Sequence, residues 1–169
     1  MHRLIEAFSK FKEKTNSDVK LVLVGRSGWM TDEVINALNY SNYQNDIVFT
    51  GFVEKDELPK LIAGALGLTY VSLFEGFGIP ILEAFHCETP VITSNTSSMP
   101  EVGGEAVLYA DPLSIESIAK QMIMLYKNPN LRNELIEKGR QQRSNFSWEK
   151  AAEVMYAQIE KIAQENDIV

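Results

Sequence analysis

Residues 70–88, YVSLFEGFGIPILEAFHCE, decide how the rest of the chain is interpreted. The apolar run at 69–73 is typical of a buried parallel strand, and a turn with two glycines follows at 75–78. Pro80 then opens an apolar segment, and proline is favoured at the first helical positions, where its missing N–H costs nothing. This order of strand, glycine turn and helix start predicts an anion site, because a helix N-terminus presents free N–H groups and a positive dipole end.

Two carboxylates bracket this turn. Glu75 precedes the glycines, and Glu83 lies inside the predicted helix on a face shared with mainly apolar or weakly polar residues: Ile79, Pro80, His86 and Cys87. A charge on such a face is costly unless it is hydrogen-bonded, and a vicinal diol such as a ribose would satisfy it. The alternative is that Gly76 and Gly78 only shape a turn while Glu83 faces solvent, because short glycine motifs also occur without a ligand.

The composition predicts one globular domain over residues 1–169, since 45% of the residues are hydrophobic and 23% are charged. A net charge of −7 argues against non-specific nucleic-acid binding. Any phosphate should therefore be bound by local backbone N–H groups or by a few placed cations. The single cysteine excludes an intrachain disulfide, and two histidines without a His-Glu-x-x-His pattern give no reason to expect a metal.

No apolar run approaches the ~18 residues of a membrane span. The first residues alternate apolar and charged side chains, which is unlike a signal peptide. We therefore expect a cytoplasmic protein.

Short apolar strands alternate with amphipathic helices along the chain. Strands are expected at 19–24, 47–50, 69–73, 90–93 and 106–109. Besides the helix that begins near Pro80, helices are expected at 3–14, 31–40, 55–65, 114–127, 131–143 and 148–164. This alternation predicts an α/β fold with a Rossmann-like, doubly wound parallel sheet and a helical C-terminus.

Ligands of such sheets bind above the carboxyl ends of the strands. The loops that leave this edge are expected to converge on one crevice, and they lie at 25–28, 51–53, 75–78 and 94–101. The stretch at 94–104 is expected to be irregular, because it is rich in Ser, Asn, Pro and Gly.

A longer set of motifs now supports a family resemblance. Residues 75–84 read EGFGIPILEA, with the two glutamates eight positions apart. Around them stand LVLVG at 21–25, VFTGFV at 48–53, ELPKLIAGA at 57–65, PVITSNTSSMPEVGGEAVLY at 90–109 and FSW at 146–148. In this order the motifs resemble the C-terminal, donor-binding domain of GT-B-fold, family-four retaining glycosyltransferases (glycosyl transferases group 1). The resemblance covers nearly the whole chain. It implies transfer of a sugar from a nucleotide-diphosphate sugar to an acceptor hydroxyl, in polysaccharide or glycolipid assembly.

The resemblance also implies roles for particular residues. Glu75, at the catalytic centre, would hold hydroxyls of the transferred sugar, and Glu83 would accept hydrogen bonds from the donor ribose. Phe52 and Val53 would lie along the base. The diphosphate and the donor sugar would face the backbone of Gly76, Phe77, Gly78 and Ile79. No cofactor and no metal ion would be required, because placed hydrogen-bond donors and helix dipoles can stabilise the leaving diphosphate.

In the resembled family a strand precedes the first helix, and an arginine and a lysine in that region neutralise the diphosphate. This chain begins at Met1 inside that region, so we expect the first strand, both cations and the N-terminal acceptor domain to be absent from it. The expected partners are a nucleotide sugar and that domain or a partner chain. The empty strand slot, between 20–24 and 69–73, predicts either closure of the sheet or strand exchange into a homo-oligomer.

Other interpretations remain open at this point. A non-catalytic nucleotide-sugar-binding subunit would need a partner that supplies the other half. The dinucleotide-binding domain of an oxidoreductase is disfavoured, because no G-x-G-x-x-G follows the first strand. Among single residues, Phe77 is expected either to stack on a sugar or to pack under the turn, and Trp148 to pack at a helix start. The resemblance allows a peripheral position at the inner membrane face for the whole enzyme.

Overall fold

The computed structural model describes residues 1–26 and 31–165, within which strands and helices alternate. The strands are β1 (Leu21–Val24), β2 (Ile47–Gly51), β3 (Leu68–Tyr70), β4 (Val91–Ser94) and β5 (Val107–Ala110). The helices are α1 (His2–Thr15), α2 (Asp32–Asn39), α3 (Leu58–Ala63), α4 (Ile79–His86), α5 (Met99–Gly103), α6 (Ile115–Lys127), α7 (Pro129–Arg143) and α8 (Trp148–Glu165). A short 3₁₀ turn, Gln44–Asp46, precedes β2.

All strand pairs among the described residues are parallel, but they form two sheets. One sheet pairs β1 with β2, and the other has the order β3-β4-β5. The predicted α/β class, parallel pairing and helical C-terminus are confirmed. The expected closure of the sheet is wrong, because within the described ranges no backbone pairing joins β1 to β3 and only side-chain packing connects the two sheets.

Helix α1 provides that packing. Its apolar residues recur at helical spacing, and four of them are buried: Ile5, Ala7, Phe8 and Phe11. The helix packs between α2 and α6. The same core cluster contains Leu23 of β1 and Ile92 of β4. One helix therefore holds both sheets through a common core.

A second core cluster lies on the opposite face of the three-stranded sheet. It joins Phe85 of α4 and Met99 of α5 to Val91 of β4, and all three are buried. Along β4, Val91 faces this cluster whereas Ile92 faces the α1 cluster, as the alternation of a strand covered on both faces requires. The three-stranded sheet is therefore covered by helices on both sides, which is the doubly wound arrangement that we predict.

Two surfaces are less covered than expected. Val22, Val24 and Val48, on the β1–β2 sheet, are 46%, 40% and 38% exposed. Helix α8 contains no buried residue. Trp148 at its start is 83% exposed, so the expectation that this side chain packs is wrong. No helix in the described part of the chain is both long and apolar enough to cross a membrane.

Two elements near the site also differ from prediction. Strand β3 ends at Tyr70 instead of residue 73, because side-chain hydroxyls from 94–98 take over as donors to the carbonyls that follow. The segment expected to be irregular contains α5. Its formation follows from burial of Met99 and Val102, with Pro100 in the first turn.

Candidate functional site

The turn between β3 and α4 has the geometry that its sequence predicts. Gly78 is the N-cap of α4 and has φ +109°, a conformation that favours glycine. A Cβ at this position would also lie 3.3 Å from Cδ1 of Ile81. Pro80 occupies the first turn, and the N-cap position provides no side-chain acceptor. In the first turn Pro80 has no N–H and the Ile81 N–H donates to Gly78 O at 3.0 Å, so Ile79 is the first-turn residue whose N–H is left without a side-chain cap.

Gly76 does not share the constraints that apply to Gly78. Its φ is not positive, and a Cβ added to it would meet nothing within 4 Å. Neither backbone strain nor a close protein neighbour requires a glycine here. The open space beside this backbone is what a group approaching the turn from outside would need.

Glu75, directly before the turn, is half-buried. Burial, followed by a hydrogen bond with the Glu75 carboxylate, raises the pKa of Tyr70 to about 12. Between the two groups only the phenol can donate at neutral pH, because the carboxylate is an acceptor. The sequence does not predict this proximity, because its pattern identifies Tyr70 only as a residue of an apolar strand.

The backbone of Glu75 is held from the other side by serines that follow β4. Ser97 Oγ donates to Glu75 O at 2.6 Å, and Glu75 N–H donates back to Ser97 Oγ at 3.3 Å. Ser98 Oγ donates to the same carbonyl at 3.1 Å. These serines lie in the loop at 94–101 that the sequence places at the crevice, although the sequence gives none of them a role.

Glu83 is exposed, which agrees with the alternative that it faces solvent and not with a carboxylate buried on an apolar face. The buried face of α4 carries Ile81, Ala84 and Phe85, so the rotation of the helix turns Glu83 to the surface together with Ile79 and His86. Burial, and then the charge of the Glu83 carboxylate, raises the pKa of the Cys87 thiol. Ile79 and Glu83 thus line one exposed strip that runs from the turn along α4.

Phe77 projects from the turn and is 44% exposed. Its ring meets the ring of Phe146 edge to face, with the centroids 5.9 Å apart. This contact supports packing as one of the two interpretations of Phe77, while the remaining exposed ring surface leaves room for a second contact. His86 Nδ1 lies 2.8 Å from Leu82 O, a local contact within α4.

The loops after β1 and β2 are joined to each other. Gly25 N–H donates to Gly51 O at 3.0 Å. The guanidinium carbon of Arg26 lies 5.2 Å from the centroid of the Phe52 ring, which is 60% exposed. Val53 next to it is half-buried. The remainder of the predicted glycine loop, Ser27 and Gly28, lies outside the described residues.

The four predicted loops therefore come together as two pairs, one above each sheet. The pair at 25–26 and 51–53 carries Arg26 and Phe52, and the pair at 75–78 and 94–98 carries Glu75. A groove of about 500 Å³ runs along β3, lined by residues 69–74 and by Met1, Arg3 and Leu4 of the chain start. Among the described residues, no three His, Cys, Asp or Glu side chains cluster as a metal site would need.

The comparison with known families decides the classification. The sequence profile of the family described as "Glycosyl transferases group 1" matches residues 1–142 of the chain. The chain belongs to this family. The motifs that carry the resemblance, including both glutamates of the EGFGIPILEA segment, all lie in the matched range apart from FSW at 146–148.

Relatives of this group 1 glycosyltransferase chain include proteins named as mannosyltransferases. The chain is 35% identical over 146 residues to O-antigen chain mannosyltransferase B of Escherichia coli, and the match covers 86% of this chain and 38% of that protein. The chain is 28% identical to an MMP alpha-(1->4)-mannosyltransferase of Mycolicibacterium hassiacum, covering 94% of this chain and 39% of that protein. The group 1 chain thus spans well under half the length of these relatives.

Solved structures share the fold. The C-terminal domain of a glycosyl transferase group 1 family protein from Francisella tularensis has a TM-score of 0.73 at 25% identity, covering 85% of this chain and 77% of that chain. Anabaena HepE, solved in complex with UDP and glucose, has a TM-score of 0.79 at 20% identity, covering 93% of this chain and 44% of that chain. The second likeness shows the fold alone.

Proposed function

We propose that this chain is the donor-binding domain of a retaining glycosyltransferase. It would bind a nucleotide-diphosphate sugar whose sugar passes to an acceptor hydroxyl in polysaccharide or glycolipid assembly. Two facts support this assignment: membership of the group 1 family over residues 1–142, and relatives named for mannosyl transfer. The cytoplasm, where nucleotide sugars are made, is the proposed location.

The observation that carries the proposal is the turn at 75–78. The open space beside Gly76, the Ile79 N–H and the positive dipole end of α4 would together bind a diphosphate. The chain's net charge of −7 makes a basic surface an unsuitable alternative, so local backbone donors are the expected source of phosphate affinity.

The remaining parts of the donor fit around this turn. Glu83, exposed one turn beyond Ile79, would accept both hydroxyls of the ribose. Phe52, with Arg26 against its ring, and Val53 would lie along the base. Glu75 would hold hydroxyls of the transferred sugar, and Phe77 would contribute its exposed ring surface next to that sugar.

The chemical task of this domain is to stabilise the leaving diphosphate. The bond between the anomeric carbon and the diphosphate oxygen breaks, the oxygen of the acceptor hydroxyl bonds to the same face of the sugar, and the hydroxyl proton passes to the released diphosphate. Backbone N–H groups and a helix dipole, fixed before the reaction, stabilise the developing charge without having to reorganise. We propose this chemistry without a metal ion, and nucleotide-sugar binding that is unchanged by a chelator would support it.

The second part of the proposal concerns the partner. The acceptor would be held by a further domain or partner chain, consistent with the small share of its relatives that this chain spans. The unpaired side of β3, with its groove, is where a strand from such a partner, or from a second copy of the chain, would add in parallel.

The decisive test is calorimetric titration of the chain with UDP, GDP and ADP, before and after Glu83→Ala. We expect one nucleotide to bind preferentially and Glu83→Ala to weaken it about tenfold, since hydrogen bonds to a charged group contribute ~1.5–3 kcal/mol. Glu13→Ala is the matched control, because Glu13 is an exposed glutamate near the C-terminal end of α1. Equal losses in the two variants, or no binding of any nucleotide, would contradict the assignment.

A further inference from the structure

Side-chain hydroxyls continue the pairing of β3 and β4 beyond the point where their backbones stop pairing. The backbone register ends at Tyr70↔Thr93. Five hydroxyl side chains then donate in sequence to the carbonyls of residues 70–75, and we name them the hydroxyl clasp: Thr93, Ser94, Thr96, Ser97 and Ser98. Every residue of 93–98 except Asn95 takes part.

The clasp begins in the core and ends at the site. Thr93 Oγ1 donates to Tyr70 O at 2.8 Å, and Ser94 Oγ donates to Ser72 O at 2.6 Å. Both side chains are fully buried, so the base of the clasp is rigidly mounted. Thr96 Oγ1 then reaches Leu73 O at 3.2 Å. The loop that carries Glu75 is therefore fixed to β4 and to the residues that follow β4 at several points, and not only at its start.

Ser97 differs from the other members because it holds both polar backbone atoms of one residue. Its hydroxyl donates to Glu75 O at 2.6 Å and accepts from Glu75 N–H at 3.3 Å. Atoms on both sides of the Glu75 Cα are thus fixed by one oxygen. This arrangement fixes the direction in which the Glu75 side chain leaves the backbone.

Ser97 adopts an unfavourable backbone conformation to do this. Its φ is +55°, in the left-handed region that serine rarely occupies. Such a residue persists only where its surroundings impose the conformation, and such residues cluster at functional sites. Here the fully buried Met99, two positions on, anchors the start of α5 in the core and fixes the chain that leads from Ser97.

The side chain of Glu75 faces Tyr70 at the end of β3, and this carboxylate contributes, after burial, to the raised pKa of the phenol. The backbone of Glu75 is fixed from the β4–α5 connection, so the direction in which its side chain leaves the backbone is set there. A fixed direction is expected where a carboxylate has to meet a ligand.

We propose that Ser97 is a positioning residue, which aims the Glu75 carboxylate at hydroxyls of the sugar in a bound nucleotide sugar. This inference rests on the proposed function, and it names the part of the donor that the clasp serves. The clasp would contribute to recognition of the transferred sugar and not to affinity for the nucleoside diphosphate.

The test compares Ser97→Gly with the wild-type chain. Glycine removes the hydroxyl and also relieves the strain of a positive φ, so the melting temperature should not fall. Dissociation constants are measured by calorimetry for UDP, GDP and ADP and for UDP-glucose, GDP-mannose and ADP-glucose. We expect the affinity for the preferred nucleotide sugar to fall about fivefold and that for its free diphosphate to stay within about twofold, in line with loss of hydrogen bonds of ordinary net strength.

Two further variants make the comparison specific. Ser98→Ala removes only the longer bond to the same carbonyl, so it should produce a smaller loss than Ser97→Gly. In a Glu75→Ala background, Ser97→Gly should cause no additional selective loss, because its effect passes through the Glu75 side chain. Equal weakening of the sugar nucleotide and the free diphosphate would overturn the inference, as would an undiminished sugar preference.

A ligand-free measurement separates this inference from the proposed function. Hydrogen exchange of the Glu75 amide should accelerate about fivefold in Ser97→Gly, because that amide loses its acceptor. If the wild-type chain binds none of the six nucleotides, the proposed function and the role in sugar recognition both fail, while the exchange rate still decides whether the clasp holds Glu75. Unchanged exchange would refute the clasp itself.

Discussion

The two glycines of the central turn, Gly76 and Gly78, serve different physical purposes. Gly78 has a positive φ and a close neighbour in Ile81, so the local fold requires it. Gly76 has neither, and the space beside it is open. The two interpretations that the sequence leaves open for these glycines, a shaped turn and a ligand cradle, therefore apply to different residues of the same motif.

This difference gives a paired prediction for alanine substitutions. Gly78→Ala should lower the free energy of unfolding by ~1–3 kcal/mol, because alanine resists this backbone conformation. Gly76→Ala should change it by less than ~0.5 kcal/mol, since no strain or clash is introduced. Urea denaturation measures both values, and each variant is the control for the other.

For nucleotide affinity, measured by calorimetry, Gly76→Ala should have a larger effect than Gly78→Ala. Gly76→Ala should weaken nucleoside-diphosphate binding although the protein remains stable, because the new methyl group occupies space next to the backbone N–H groups. Unchanged binding in Gly76→Ala would show that the open space beside this residue is not used by the ligand.

Among the helices, α1 is fixed by an unusual buried cation. Lys12 is 4% exposed, and its ammonium lies 2.7 Å from an Asp46 carboxylate oxygen. It also donates to the carbonyls of Ser17 and Val19 and lies over the rings of Phe8 and Tyr43. One side chain therefore ties the end of α1 to the turn before β1 and to the 3₁₀ turn before β2.

Replacing this lysine by methionine should destabilise the chain. Lys12→Met keeps the volume but leaves two carbonyls without their donor and Asp46 without its cation, and we expect a loss of ~2–3 kcal/mol. The difference in unfolding free energy is measured by urea denaturation. Lys14→Met, on an exposed position of the same helix, is the matched control and should change stability by less than ~0.5 kcal/mol. Similar values for both variants would mean that the buried contacts of Lys12 contribute nothing.

Helix α7 supports the site from behind. Arg143 donates to Phe85 O at 3.1 Å, at the end of α4, and Gln142 donates to Val102 O at 3.1 Å, near the end of α5. Gly139 of α7 faces the Phe85 ring, which a Cβ would approach to 2.8 Å. Helix α7 thus binds the carboxyl-terminal ends of both helices and leaves their first turns to the site.

These elements also show which features the sequence can predict. Helix α1 was expected at 3–14 and forms at His2–Thr15, because its apolar periodicity is strong and local. The end of β3 was missed, because it depends on hydroxyls more than twenty positions away in the chain. The exposure of Glu83 is one of two alternatives that the sequence leaves open, because the rotation of α4 that decides between them is set by packing of Phe85 and Ile81 against distant elements.

At the scale of the whole molecule, the chain is expected to need a further half for catalysis. It should bind a nucleotide sugar yet transfer little sugar on its own, because the proposed acceptor site lies outside it. The measurement is the rate at which this chain releases free nucleoside diphosphate, compared with the rate of a full-length homologue assayed in parallel. Turnover by this chain at the rate of the full-length protein would contradict the proposal.

Strand exchange between copies of the chain is tested by a separate measurement of its mass in solution. Light scattering behind a sizing column gives the mass of the species that binds nucleotide. A dimer is expected if the side of β3 that faces the groove takes up a strand from a second chain. A monomer at every concentration would contradict strand exchange between copies. The strand would then have to come from a partner domain.

The division into two sheets has a consequence for partial unfolding of the chain. Since β1 and β2 share no ladder with β3, β4 and β5, the smaller pair can separate without opening the larger one once the contacts of α1 yield. Arg26 and Phe52 would move with the smaller pair, while Glu75 stays with the larger. A bound donor that contacts both Phe52 and Glu75 would hold the two sheets together. If the smaller sheet separated, the contacts with the nucleoside base would be lost first.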